Sequence, residues 1–421
     1  MNNQEPVAAA VSRFLAQDSS QSFSSYVIAL SGGADSVALL HAFAQQLKKA
    51  SLRAVYIDHQ LQEASSQWAT FNQDLCKKLG LKFDVIKVKV ADAASLEAEA
   101  RKARYKAFAG IIGRDECLLT GHHQDDQAET LLLQLFRGAG PKGLSAMPEQ
   151  AAFGKGVHAR PMLQVSKRDI LDYCEHYNLP FVEDPSNQDT QYRRNFLRKK
   201  VIPLMETEWP EVKATLARAS DIQASTQELI EEVASTDFAR CFDLDKGLSI
   251  SSLVALSPVR QTHVLRYWLQ QLDQDMPSQK VMDQVLQQML RSDLDAQPSV
   301  SFGHGAIKRF QGYLIWVNDV IDELEPVHET WTADSDLELR CGVKISLNWL
   351  KQDSPELVGK PLQVKTRQGG ERFRKRNAEH TTSLKNYFQE EGVRPWQRDR
   401  ALLILFKGEV RAVFTEHLQQ G

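Results

Sequence analysis

No apolar run in the 421-residue chain approaches the ~20 residues that a membrane-spanning helix needs. The polar start MNNQEPVAAAVSRF lacks the apolar core of a signal peptide, so a cytoplasmic protein is expected. Cysteine is scarce: Cys76, Cys117, Cys174, Cys241 and Cys341 lie far apart, with no C-x-x-C. That argues for a reducing compartment and against a zinc or iron–sulfur site; the thiols read as small buried hydrophobes. Net charge is only −3, so the molecule is no polycation and any nucleic-acid surface must be a local patch. Internal repeats and low-complexity tracts are also missing. A 42% hydrophobic and 25% charged composition describes a globular chain with ample core, and its length suggests two or three domains.

What is present begins with YVIALSGGADSVALLHAF. Strand-like residues 26–30 run into two glycines, and Val37, Leu40, His41 and Ala44 then fall on one helical face. A strand, a tight turn and a helix N-terminus form a phosphate-binding layout, because the first helical amides have no internal partners. Gly32 and Gly33 let the backbone approach a phosphate, and the Ser31 and Ser36 hydroxyls can donate to one. No lysine sits in the turn, so the loop is not a Walker A motif. Asp35 would face a polyanion, which is unfavourable unless a divalent cation lies between them. Ser31-Gly32-Gly33-Ala34-Asp35-Ser36 resembles the PP-loop of the ATP pyrophosphatase superfamily, which implies cleavage of ATP between the α and β phosphates.

Further along, YVIAL, RAVYID, FDVIKVKV and CLLTG read as strands, separated by three helical patterns. Repeated βα units predict a parallel sheet covered on both faces, with ligands at the strands' carboxyl ends. The Ser31 loop, Asp58-His59 and Gly121-His122-His123 all follow such strands, so topology should converge them on one crevice. Helical patterns dominate from Glu211 to Leu294, strands return at GYLIWV near Tyr313, and an acidic segment precedes a mixed terminal stretch. The expected domains are 1–212, catalytic; 213–325, helical; and 326–421, a small α+β unit.

In GHHQDDQAETLLLQLFRGAGPKGL, Asp125, Asp126 and Glu129 share one face of the helix that the motif opens. Two histidines and three carboxylates could bind a metal, but adjacent histidines do not easily share one ion with a helix face. A polar helix N-terminus with acids in its first turn is the plainer alternative. Two basic patches stand out. QYRRNFLRKK holds Arg193, Arg194, Arg198, Lys199 and Lys200 with no acid. Residues 365–411 carry 12 Lys/Arg against 6 Asp/Glu, interleaved with Phe373, Tyr387, Phe388 and Trp396.

SGGADS, SLEAEARKARYKAF, GHHQDDQAETLLLQLFRGAG and EDPSNQDTQYRRNFLR, in that order and at those intervals, resemble the tRNA(Ile)-lysidine synthetase family. GGERFRKRNAEHTTSLKNYFQEEGVRPWQRDR looks like that family's terminal tRNA-binding domain. The resemblance spans essentially the whole chain, most weakly over 213–360, and matches the long proteobacterial form. Arg394, where the family tends to have proline, and ALLILF are local departures.

The resemblance implies ATP-dependent joining of L-lysine to carbon 2 of the wobble cytidine in tRNA(Ile) with a CAU anticodon. The cytidine is adenylated first, and the lysine amine then displaces AMP. It implies ATP bound by Ser31 to Ser36, Mg²⁺ at Asp35, and a nucleoside pocket near Asp58 and His59. Asp126 and Glu129 would pair with lysine's ammonium, and Arg194 would meet a carboxylate or phosphate. His122 would serve as base or touch the activated oxygen. Arg101 and Arg104 would reach phosphate or the base, while Arg193, Arg198, Arg372, Arg374 and Lys385 would hold tRNA. No obligatory protein partner is implied. The alternative is a PP-loop tRNA thiolase, which would need catalytic cysteines or a cluster; a small-molecule PP-loop synthetase would not need the basic patches.

Overall fold

Valine, isoleucine and alanine without an intervening charge suit Ser25–Ala29 (β1) to the centre of a sheet covered on both faces. The structure is a computed structural model and describes residues 5–17, 23–60, 65–89, 96–184, 189–291, 298–318, 326–339, 342–374 and 380–415. Cys341, Ser95, Lys375, Arg376, residues 185–188 of the EDPSNQDT segment and 319–325 of the expected linker lie outside the described residues. The chain divides into two compact units, Met1–Ile230 and Glu231–Gly421.

In the first unit β1 lies between Leu52–Asp58 (β2) and Glu116–Leu119 (β4), parallel to both. Lys82–Lys87 (β3) extends the sheet beyond β2. Beyond β4 come Gly156–Ala159 (β6), parallel, and Gln150–Phe153 (β5), antiparallel at the edge. The order β3-β2-β1-β4-β6-β5 reverses between β1 and β4, and such a switch point opens a crevice at the strands' carboxyl ends.

Alternation along β1 sends Tyr26 and Ile28 to one face and Val27 to the other. The first face packs against helices Pro6–Gln17 (α1) and Ala34–Gln46 (α2), through Phe14, Val37, Leu40 and Phe43. Ser65–Leu79 (α3) joins the same core through Leu75 and Cys76. The opposite face meets Phe108 and Ile112, from Leu96–Ile111 (α4) and the residue after it. Each fully buried leucine or phenylalanine contributes about 1.5–3 kcal/mol, so these two layers hold the crevice floor rigid.

Gln124–Leu135 (α5) and Pro141–Leu144 (α6) follow β4. Lys167–His176 (α7) starts at a capping box in which Ser166 accepts from Asp169 N and Asp169 accepts from Ser166 N. The basic stretch forms Arg193–Phe196 (α8), a π-helical segment Leu197–Val201, and Ile202–Glu208 (α9). Leu197 and Ile202 pack on Leu132 of α5, which turns Arg194 and Arg198 toward that helix's acids. A π segment at a functional site is a recurring device for re-aiming side chains. The expected helix from Glu211 is Val212–Cys241 (α10), and the division between units falls within it.

The second unit holds more strand than its helical pattern suggests. Phe242–Asp243 (β7), Gly247–Ser249 (β8), Ser299–Phe302 (β9), Gly305–Phe310 (β10) and Tyr313–Asn318 (β11) make an antiparallel sheet, ordered β7-β8-β11-β10-β9. Ile250–Val254 (α11), Pro258–Gln271 (α12) and Gln279–Leu290 (α13) cover it, Trp268, Met282 and Met289 packing on Val300 and Leu314. A separate core surrounds the antiparallel sheet of His328–Trp331 (β12), Leu362–Thr366, Leu402–Phe406 and Glu409–Phe414. Arg372, Arg374 and Lys385 lie exposed in this last region, where Arg372 donates to Thr381 O at 3.3 Å.

Candidate active site

The two loops at the switch point touch through a glycine. A Cβ on Gly121 would stand 2.8 Å from both the carbonyl carbon and oxygen of Asp35 and 3.1 Å from Ser36 N. Only a residue without a side chain lets the loop after β4 lie against the first turn of α2. Gly32, at φ +90°, is the second required glycine, and a Cβ there would meet Val182 and Asn72.

Within the loop, Ser36 Oγ accepts from the amides of Ser31 and Gly32, each at 3.2 Å, and donates to Gly33 O at 3.0 Å. Its one proton is thus held by the backbone. Expected as a phosphate donor, Ser36 instead shapes the turn, and the Ser31 hydroxyl joins it, 3.1 Å from Ser36 Oγ and accepting from Gly33 N at 3.4 Å. Gly33 is the N-cap of α2 and contributes no capping side chain, so the opening amides of Ala34, Asp35 and Ser36 face the position of an anion.

Asp35 Oδ1 lies 2.5 Å from Lys167 Nζ, at the start of α7. Its other oxygen is 3.7 Å from Nε2 of buried His123, and that nitrogen is 3.5 Å from Asp126 Oδ2. His123 therefore links the glycine loop to α5. Asp126 Oδ2 also accepts from His123 N at 3.1 Å. Asp125 accepts from Lys167 N at 3.1 Å and pairs with Lys213 Nζ at 2.8 Å.

Glu129 is completely buried, yet both its oxygens are used. Arg194 Nε donates to Oε2 at 2.6 Å; Arg198 Nε donates to Oε1 at 2.6 Å and its NH2 to Oε2 at 2.9 Å. Asp126 Oδ1 receives Arg194 NH2 at 3.0 Å and Arg198 NH2 at 3.3 Å. The expected direct pairing of Glu129 with a substrate ammonium does not fit this arrangement, because two guanidiniums seal that carboxylate. Glu129 anchors arginines instead. Burial alone would raise the Asp126 carboxyl, but attraction from its neighbours, His123 and Arg194 before Arg198, outweighs it and holds the pKa far below the carboxylate range.

His122, at the mouth of the same loop, faces Thr120 rather than the acid cluster, with Nδ1 2.7 Å from Thr120 Oγ1. Burial, reinforced by Arg160, Arg194 and Arg101 against the opposing pull of Asp126, pushes its pKa down to about 3. So acidic an imidazolium cannot usefully hold a proton taken from an amine, and this corrects the expectation that His122 serves as base. His158 is likewise lowered to about 3, by burial and then by Arg160, Arg101 and Arg104.

Because both histidines have folded-state pKa values below the ordinary ~6.5, the stability they confer is complete above that pH and is lost as pH falls toward 3. Between those limits each group that only the unfolded chain protonates changes stability by about 1.4 kcal/mol per pH unit. His158→Gln should remove one such proton from the pH slope of urea unfolding between pH 6 and 4. An unaltered slope would contradict a neutral buried His158.

Asp58 and His59 sit at the end of β2, beside β1. Asp58 Oδ1 accepts from Gln60 N at 2.9 Å. His59 is lowered by burial first and Arg104 second, and its Nδ1 is buried with no hydrogen-bond partner among the described residues. Arg101 and Arg104 of α4 both lie over the Tyr105 ring, at 5.0 and 5.6 Å from its centroid. Arg193 is exposed, apart from the acid cluster that holds Arg194 and Arg198. Lys167, Lys213, Thr120, His158 and Arg160 were not singled out in the sequence. Only Lys167 had a local signal, the SKRD capping box, and that marks a helix start without naming its partner.

A glycine loop at a switch point, an acid beside it and an arginine–carboxylate cluster across the crevice define an ATP-handling α/β enzyme of the PP-loop class. The family model described as a PP-loop domain matches residues 3–205. Models of the TilS substrate binding domain and the TilS substrate C-terminal domain match 248–315 and 362–417. The tRNA(Ile)-lysidine synthase of Coxiella burnetii is 35% identical over 407 residues, covering 93% of this chain and 88% of that protein. Proteins of the same name from Serratia proteamaculans (34%, covering 92% and 89%) and Vibrio parahaemolyticus (35%, covering 92% and 90%) agree. The chain belongs to the tRNA(Ile)-lysidine synthase family. Among solved structures, the U34-tRNA thiolase NcsA from Methanococcus maripaludis matches at TM-score 0.43 and 15% identity, covering 51% of this chain and 76% of that one. That similarity is too low to bear on function.

Proposed function

We propose that the crevice catalyses ATP-dependent attachment of L-lysine to carbon 2 of the wobble cytidine of tRNA(Ile) with a CAU anticodon. The observation that carries this reading is the bridge from Asp35 through His123 to Asp126, which puts the phosphate loop beside a two-arginine, two-acid cluster. ATP supplies the adenylyl group that turns the cytidine's oxygen into a leaving group, with pyrophosphate and AMP as products.

Ser31, Gly32 and Gly33 would cradle the phosphates, with the amides of Ala34, Asp35 and Ser36 aimed at them. The bare glycine cap and the positive φ of Gly32 suit that load. Asp35 would take Mg²⁺, an ion that commonly draws one or two carboxylates from the protein and the rest of its shell from phosphate and water. Lys167, which pairs with Asp35, would be free to meet phosphate with the ion in its place. Arg194 and Arg198 commit Nε and NH2 to the acids, and their remaining NH1 groups would meet the lysine carboxylate or a tRNA phosphate. Asp126, with 12% side-chain exposure, is the acid that an incoming ammonium can reach, by displacing the longer Arg198 contact. Asp58 and His59 would border the nucleoside, and Arg101 and Arg104 the target base.

The domains would be 1–212, 213–325 and 326–421, and the positions of the three family models support that division. Arg372, Arg374 and Lys385 would hold a second part of the tRNA. No helix among the described residues is long and apolar enough to cross a membrane, and a tRNA substrate favours the cytoplasm. Thiolation is the weaker reading, because burial raises the Cys76 and Cys174 thiols to about 12 and 11, away from a reactive thiolate. Pyrophosphate release from ATP should require tRNA with the CAU anticodon and stop when Asp35 is changed to Asn. Release at full rate without tRNA would exclude a tRNA adenylation step.

A further inference from the structure

β4 and β6 are parallel neighbours, with Leu118 opposite His158 and Leu119 opposite Ala159. This pairing collects a buried polar chain that no sequence motif links. Thr120 Oγ1 lies 2.7 Å from His122 Nδ1 and 2.8 Å from His158 Nε2. His158 Nδ1 lies 3.0 Å from Arg160 NH2, and Arg160 NH1 donates to Pro148 O at 2.8 Å.

Counting protons along the chain leaves one arrangement in which the Thr120 proton also has an acceptor. A guanidinium donates and never accepts, so His158 Nδ1 must be a lone pair. A doubly protonated His158 would set N–H against N–H. The single proton of neutral His158 is therefore on Nε2 and is donated to Thr120 Oγ1. A threonine hydroxyl has only one proton of its own, and that proton is left to point at His122 Nδ1. His122 Nδ1 is then an acceptor, and its ring proton sits on Nε2. The other ring nitrogen's hydrogen bond sets a histidine's tautomer, and here that bond is set in turn by an arginine two side chains away.

We propose that Arg160, His158 and Thr120 are positioning residues that lock His122 as the Nε2–H tautomer, presenting it to the crevice as a hydrogen-bond donor toward an anionic substrate oxygen. Its role at the reacting atoms rests on the crevice being the site proposed above; the tautomer itself does not. A preset donor costs no reorganisation as negative charge develops, which makes a neutral imidazole N–H worth fixing in this way. Deprotonation of the lysine amine then falls to another group or to water.

The test is a histidine ¹⁵N-labelled full-length protein examined by long-range ¹H–¹⁵N correlation, with His122 assigned by its loss in His122→Gln. The wild type should show His122 with a pyridine-like Nδ1 and a protonated Nε2. Thr120→Ser should keep that pattern, whereas Thr120→Val should convert it to a mixture of tautomers. In turnover, His122→Ala should lose about 10²–10³-fold, the scale for one such donor. His122→Gln, whose amide can place an N–H where Nε2–H stood, should lose far less than His122→Asn. A wild-type His122 protonated on Nδ1, or on both nitrogens at pH 7, would overturn the relay, and the spectrum reads this whether or not lysine ligation is detected. Equal turnover in the Gln, Asn and Ala variants would overturn the donor role.

Discussion

Glu129→Ala is expected to abolish tRNA modification and to destabilise the first unit by about 3–5 kcal/mol, the scale for removing one partner of a buried ion pair. Glu129 is wholly buried and, among the described residues, is the only carboxylate that accepts from Nε of both Arg194 and Arg198. Without it, Asp126 Oδ1 must hold two guanidiniums alone. The arginines that should orient substrate then lose their fixed edge, and a displacement of about 1 Å is worth 10²-fold in rate. Glu129→Gln separates the two effects: it keeps the volume and one acceptor oxygen but gives up the charge. Urea unfolding and single-turnover kinetics on both variants should show Gln more stable than Ala and both slow. Full activity in either would show that the cluster is structural only.

The second large effect is expected at Gly121. Its missing Cβ is what allows the loop after β4 to rest on the carbonyl of Asp35, and backbone on both sides leaves nothing flexible to give way. Gly121→Ala should therefore push α2's first turn out of place and reduce pyrophosphate release by about 10²-fold, chiefly through weaker ATP use. Gly110, inside α4, is the control. A Cβ there meets nothing within 4 Å, so Gly110→Ala should leave activity intact and stabilise the helix by up to about 1 kcal/mol. Equal activity in the two variants would mean that the two loops need not touch.

The βα frame was legible because its strands are short apolar runs that end at glycine or charge. YVIAL and RAVYID became Ser25–Ala29 and Leu52–Asp58 within a residue. Convergence of the Ser31 loop, Asp58-His59 and Gly121-His122-His123 on one crevice was expected from topology alone, and Gly121 does lie against Asp35 and Ser36. What Asp35, Asp126 and Glu129 do there was not legible, since their partners Lys167, Arg194 and Arg198 come from distant segments and only the fold pairs them. The same holds for Thr120, His158 and Arg160. The β5–β6 hairpin that carries His158 is written as QAAF and GVHA, with little β-branched content, and it gives almost no signal. In the second unit, GAIKRF pairs with YLIWVN, but its lysine and arginine conceal the alternation.

One measurement bears most directly on the assigned reaction: entry of radiolabelled lysine into purified tRNA(Ile) with the CAU anticodon, in the presence of ATP and the full-length protein. Label entering the tRNA only when protein, ATP and that tRNA are all present is the expected result, with unlabelled methionine tRNA as the control. Pyrophosphate release from ATP with that tRNA but without lysine entering it would contradict lysine ligation and point to a different second substrate for the same adenylating site.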